Sequence, residues 1–150
     1  MSILSWGKPK IEYATSTGGE AGASASWTAF DTPKEDTTQL ATTAGEEVTA
    51  TEEGGAIVDT RYKKTTYQLE FDLFVKKGTE RPFTDTDGVI AGEYAIRITP
   101  EDDTCEGIQI DRCVISVEES YTAADGKIMH FVCKCLKPKS GNTVKPYTKS

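Results

Sequence analysis

Eleven consecutive residues, Thr65-Thr66-Tyr67-Gln68-Leu69-Glu70-Phe71-Asp72-Leu73-Phe74-Val75, alternate well enough to set the class of fold. Tyr67, Leu69, Phe71, Leu73 and Val75 fall on one side, and Thr66, Gln68, Glu70 and Asp72 on the other. A period of two makes a single apolar face only in an extended strand. Phe74 alone breaks the pattern, near the strand end. A strand with one wet face needs neighbours of the same kind, and the chain supplies them. Glu47–Glu52 reads as a strand, punctuated by Glu53-Gly54-Gly55 before Ala56-Ile57-Val58. Glu93–Thr99 alternates again and Pro100 stops it.

Gly107–Glu119 changes phase: Ile108 and Ile110 share one parity, Cys113, Ile115 and Val117 the other. Parity changes only where a residue is inserted, which predicts a β-bulge at Asp111-Arg112. Lys127–Leu136 alternates too, with Met129, Phe131, Cys133 and Cys135 on one face. The spacing predicts an antiparallel hairpin joined by a seven-residue loop, 120–126. Gly78–Gly92 reads as loop. Asp31–Asp36 reads as a turn, or as one helical turn opened by Thr32 and Pro33. No segment sustains an apolar period of 3.6. The expected fold is mainly β, an antiparallel sandwich or partly closed barrel of about six to eight strands with a long hairpin and at most one short helix. At 150 residues it forms one domain, 1–150. Residues 14–29 are small, polar and Gly-rich, and read as a flexible segment anchored at its end by Trp27 and Phe30.

Charge is unevenly spread. Residues 1–60 hold ten acids against three bases, a net of −7, whereas residues 61–150 hold 14 of each. The surplus concentrates at Glu46, Glu47, Glu52 and Glu53. The last 17 residues carry Lys134, Lys137, Lys139, Lys145 and Lys149 and no acid. One reading is a solvated face and a frayed basic tail, 137–150. The other is head-to-tail association of unlike patches on identical subunits.

The inventory disfavours chemistry. There is one histidine, His130, with no nucleophile to name beside it, and no Cys-x-x-Cys, Gly-x-Ser-x-Gly, Walker or dinucleotide motif. No catalytic residue, cofactor or metal is assigned, and the chain is expected not to be an enzyme. Cys133-x-Cys135 sets two thiols about 7 Å apart on one strand face, long for a disulfide and unlike zinc-knuckle spacing. With Cys113 and Cys105 they read as reduced small hydrophobes; a metal site or an incidental disulfide is the weaker alternative. Glu101-Asp102-Asp103 lacks the calcium-loop pattern. No apolar run approaches a membrane span, and the first ten residues do not read as a signal peptide.

The pattern resembles the tail tube (major tail) proteins of long-tailed phages, and more distantly the tube proteins of type VI secretion. Trp6-Gly7-Lys8-Pro9-Lys10-Ile11 looks like the opening of such subunits. Gly45–Gly55 through Thr65–Val75 looks like their acidic long hairpin, and Gly92–Pro100, Gly107–Val117 and Tyr121–Gly126 look like their closing strands and turn. The family packs a helix on the sandwich, and this chain departs from it there. The resemblance implies a structural virion protein that self-assembles into stacked, six-membered rings forming a conduit for DNA. Glu46, Glu47, Glu52, Glu53, Gly54 and Gly55 would belong to an assembly and lumen hairpin, whose acidic wall lets DNA slide without specific binding. Lys137, Lys139, Lys145 and Lys149 would form an inter-subunit tail. The implied partners are copies of itself and other tail proteins, with no membrane, in the host cytoplasm during assembly and then in the virion tail. Deleting residues 46–55 is expected to leave a folded subunit that makes no tubes. The rival is a monomeric carbohydrate- or ligand-binding β-sandwich, which needs a row of exposed aromatics; a secreted adhesin is a weaker third.

Overall fold

The structure, a computed structural model, describes residues 3–21, 26–78 and 81–148. Its described residues form strands and connections with no helix. The strands are β1 (Lys10–Thr17), β2 (Glu20–Ala21), β3 (Thr28–Ala29), β4 (Gln39–Thr43), β5 (Glu47–Thr51), β6 (Ile57–Tyr62) and β7 (Thr66–Phe74). There follow β8 (Asp85–Thr86), β9 (Val89–Ile90), β10 (Tyr94–Thr99), β11 (Gly107–Thr122), β12 (Gly126–Cys135) and β13 (Val144–Tyr147). All but β5 and β6 belong to one antiparallel sheet, in the order β2-β1-β10-β11-β12-β7-β4. That sheet curls into a half-barrel, so of the two expected architectures the partly closed barrel is the one formed.

The core lies in the concavity. Leu69, Phe71 and Leu73 of β7 are buried, as their alternation requires, against Phe131 and Cys133 of β12 and Ile115 of β11. Phe30, just after β3, plugs the curl: its ring centroid is 5.1 Å from Phe71 and 5.9 Å from Phe131. Tyr13, Phe83 and Tyr94 extend the cluster at centroid distances of 4.6–4.8 Å, within the range where edge and tilted ring pairs are favourable.

Strand β11 organises the sheet, with β10 and β9 along one edge and β12 and β13 along the other. The parity change in its sequence is a real bulge. Tyr94 pairs with Cys113 and Ile96 with Ile110, so Ala95 alone faces both Asp111 and Arg112. The inserted residue keeps Ile110, Cys113 and Ile115 all turned into the core.

Three sequence expectations change. The β11–β12 ladder runs on to Thr122↔Gly126, which leaves a three-residue turn at 123–125 in place of the seven-residue loop. Gly78–Gly92 contains a small hairpin, β8–β9, whose turn places Asp87 at φ 48° and Gly88 at 87°. The turn read at Asp31–Asp36 is present, at residues 34–37, closed by the Thr37 N–H donating to the Lys34 carbonyl, with Asp36 at φ 59°. The segment 14–29 is not uniformly flexible. Residues 14–17 finish β1, with Ala14 and Ser16 buried, and the Ser16 hydroxyl donates to the Asp111 carbonyl. Small side chains there permit close approach to β11, which composition alone presents as looseness. Within that segment, residues 22–25 lie outside the described ones. Phe30 is an anchor as expected, and Trp27 stacks on Arg97 at 4.3 Å.

Candidate assembly surface

The long hairpin expected from the sequence spans β4 to β7, and it divides into two parts. At its base β4 pairs with β7, from Gln39↔Glu70 to Thr43↔Thr66. Beyond a gap, β5 pairs with β6 from Glu47↔Tyr62 to Ala50↔Asp59. The register does not slip across the gap: each step up the first strand remains one step down the second. Yet β5 and β6 form a sheet of their own. At the joint the Lys63 N–H donates to the Glu46 carbonyl, and the Lys63 ammonium lies 3.0 Å from the Glu46 carboxylate.

The outer part is an arm without a core. Every residue of β6 is exposed, including Ile57 (66%), Val58 (57%) and Tyr62 (72%). Two-stranded ribbons are marginal in water unless a face is covered. The pairing gives the ribbon two unlike faces. Tyr62, Thr60 and Ile57 stand opposite Glu47, Thr49 and Thr51, whereas Arg61 and Asp59 stand opposite Val48 and Ala50. The tip is a turn in which Gly55 N–H donates to the Glu52 carbonyl and Glu52 N–H to the Ala56 carbonyl. Gly54 and Gly55 supply its left-handed backbone, at φ 93° and 94°.

The acidic residues do not line one wall. Glu46 and Glu47 are successive, so their side chains take opposite faces. Glu46 is compensated by Lys63, and Glu47 accepts a hydrogen bond from the Thr49 hydroxyl at 3.2 Å. Glu52 and Glu53 occupy the tip. Arg61, Lys63 and Lys64 gather toward the root, which grades the arm from mixed charge at its base to negative at its end.

The basic tail is largely claimed by its own chain. After β12 the chain crosses the outer face of the sheet: Leu136 N–H donates to the Arg112 carbonyl and Lys139 N–H to Gly19. Lys139 then pairs with Glu20 at 3.2 Å, and Lys145 with buried Asp111, which Gln109 also donates to. Lys137 is exposed, its carbonyl accepting from Arg112, and Lys149 lies outside the described residues. Lys145 therefore ties β13 to the buried Asp111, while the exposed Lys139–Glu20 pair holds the connection after β12 near β2.

Several polar clusters were invisible in the sequence, since their members lie 19 to 85 residues apart. Arg97 donates to buried Glu12 from Nε at 3.2 Å, while its guanidinium lies between Trp27 and Tyr147. Arg112 pairs with Glu93 at 2.7 Å, which lowers the carboxyl and raises the guanidinium through their hydrogen bond. His130 is placed between two carboxylates, Nδ1 at 2.5 Å from Asp72 and Nε2 at 3.3 Å from Glu70. Partial burial pulls its pKa down, but the hydrogen bonds and charges of Asp72 and Glu70 outweigh that and raise it.

Cys113, Cys133 and Cys135 are reduced thiols. Cys113 faces Cys135 across the ladder and Cys133 faces Ile115, all in the core. The hydrogen bond with Cys113, together with burial, pushes Cys133 up, and burial pushes Cys135 up to about 12, so neither is a ready nucleophile at neutral pH. On the open side of the half-barrel, Leu40, Leu69, Ile98 and Ile108 floor a groove of about 620 Å³ beside β4. The outer edge of β4 pairs with no strand among the described residues. Compared with known proteins, the chain is matched by no family model and by no curated sequence.

Proposed function

We propose that this chain is the subunit of a phage tail tube, self-assembling through its β5–β6 arm into stacked, six-membered rings that enclose a DNA conduit. The carrying observation is the arm itself: a ribbon held in unbroken register with the body hairpin, exposing Ile57, Val58 and Tyr62 with nothing beneath them. Burying one such side chain is worth about 1.5–3 kcal/mol, and the isolated subunit forgoes that for each of them. Copies that cover each other's arms recover it. The free edge of β4 adds a row of backbone donors and acceptors on the same hairpin, ready for a neighbouring strand. Other tail proteins would cap the tube, and assembly would take place in the host cytoplasm before incorporation in the virion tail.

The acidic tip gives DNA no cation to hold, which suits passage without specific binding. The glycan-binding alternative finds less support. Tyr13, Phe30, Phe71, Phe83, Tyr94 and Phe131 turn toward one another inside the curl and so present no stacking platform.

Light scattering on concentrated protein, with negative-stain images of the same sample, tests the reading. Rings or tubes with a central hole are expected for the full chain. Removing residues 46–62 shortens both strands of the arm together and is expected to leave a folded monomer that makes neither. Tubes of ordinary length from that variant would overturn the arm's role.

A further inference from the structure

The geometry points to Gly45 as the residue that aims the arm. The inference rests on the arm being the assembling element and concerns how its direction is set. Gly45 lies in the joint between the two ladders, and its backbone is not left-handed, so glycine is not required there for its φ. It is required for space. A Cβ at Gly45 would lie 1.7 Å from the Lys63 carbonyl oxygen, 2.4 Å from the carbon of that carbonyl and 2.9 Å from the Lys64 oxygen. All three are backbone atoms, which no side-chain rotation removes.

Strands in a flat ladder run about 4.8 Å apart, leaving room for a Cβ at every position. Here the opposing backbone presses into that room. A glycine inside a strand marks such a close approach. The consequence is visible on either side: the register continues without a slip, but the sheet does not, and β5–β6 leaves the body as a separate sheet. The Glu46–Lys63 backbone and side-chain contacts clamp the next position outward. Close crossing and clamp together make the joint a fixed elbow and not a loose hinge.

The cost of a methyl group at this point translates into an angle. Ordinary contact begins near 3.4 Å, so a Cβ now at 1.7 Å must back away by about the same distance again. Across a strand spacing of about 4.8 Å, that wedge turns the arm by about 20°. The tip at Glu53 lies eight residues out, roughly 26 Å at strand rise, and would move by about 9 Å. A shift of that size carries Ile57 and Tyr62 off any surface they were built to meet.

The test places spin labels at the arm tip and on the body, through Glu53→Cys and Lys134→Cys in a Cys105→Ser background. The remaining thiols are buried. Electron–electron distance measurement is expected to give a narrow distribution for the otherwise native chain. Gly45→Ala is expected to move its centre by about 9 Å while amide protection in the body is retained, and to abolish tubes in the unlabelled chain. A broad distribution in the native arm overturns the fixed elbow, and this reading needs no folded variant. A tip unmoved by Gly45→Ala, or tubes unaffected by a moved tip, overturns the aiming role. Failure of the native, unlabelled chain to assemble under any condition would count against the tube reading instead, and the two distance results would still judge the elbow.

Discussion

Strands β6 and β7 belong to one hairpin, share one register up to a bulge at Ala50/Thr51 and have a β-forming composition, yet they live in different environments. In β7, Leu69 and Phe71 are fully buried, whereas in β6 Ile57 and Tyr62 are two-thirds exposed or more. The difference is not in the strands but in what crosses them. β7 has β12 on one edge, β4 on the other and the Phe30–Phe131 cluster beneath. β6 has only β5. Secondary structure is thus a weaker guide to stability than cover, and the uncovered ribbon is the surface that the proposed assembly would bury.

Paired truncations in the two regions should separate them most sharply. Phe131→Ala in the body is expected to cost about 3–5 kcal/mol in urea unfolding, from lost transfer energy and a cavity against Phe30 and Phe71. Ile57→Ala in the arm should stay within about 0.5 kcal/mol for the monomer while weakening assembly. A comparable loss from Ile57→Ala in dilute solution would mean that the arm packs on its own body and would erase the contrast.

A middle effect is expected at the outer face. Arg97→Met leaves the buried Glu12 carboxylate with only Lys10, at 4.0 Å, as a cationic partner and releases Trp27 and Tyr147. The loss should be about 2 kcal/mol, with hydrogen exchange rising first in β13. Unchanged protection in β13 would show that Lys145 and Asp111 suffice to hold the strap.

The smallest effect concerns pH. His130 has a folded pKa above its ordinary 6.5, so its protonated form favours the folded state. That contribution is complete below about 6.5 and fades as pH rises through the folded value. Denaturation midpoints of the native chain should therefore fall, relative to His130→Gln, as the pH is raised above about 6.5. Parallel midpoints would mean that Asp72 and Glu70 exchange the imidazolium for solvent at no cost. Because the pair of carboxylates bridges β7 and β12, the readout reports on the body and leaves the arm unaffected.

Much of the body was legible in the linear chain. The alternation of Thr65–Val75 located β7 within a residue, and the parity change at Asp111-Arg112 located the bulge, because both are consequences of a two-residue repeat acting locally. The β11–β12 pairing was legible for the same reason, although its turn proved tighter. The candidate site was legible only in part. The arm's strands and its glycine tip could be read. The distribution of its acids could not, because which carboxylate meets Lys63 depends on the partner strand. The partners of the tail lysines were hidden similarly: a run of cations without an acid nearby in sequence has Glu20 and Asp111 nearby in space.

What the order of residues decided by itself is the class of fold, the faces of its strands and the existence of a long hairpin, since each follows from alternation and turn residues over short distances. Only the tertiary structure decided which strands are covered, which charges are spent within the chain and where the hairpin leaves the body. Those depend on contacts between segments tens of residues apart, and at Gly45 on the approach of a single backbone carbonyl, which no local pattern encodes.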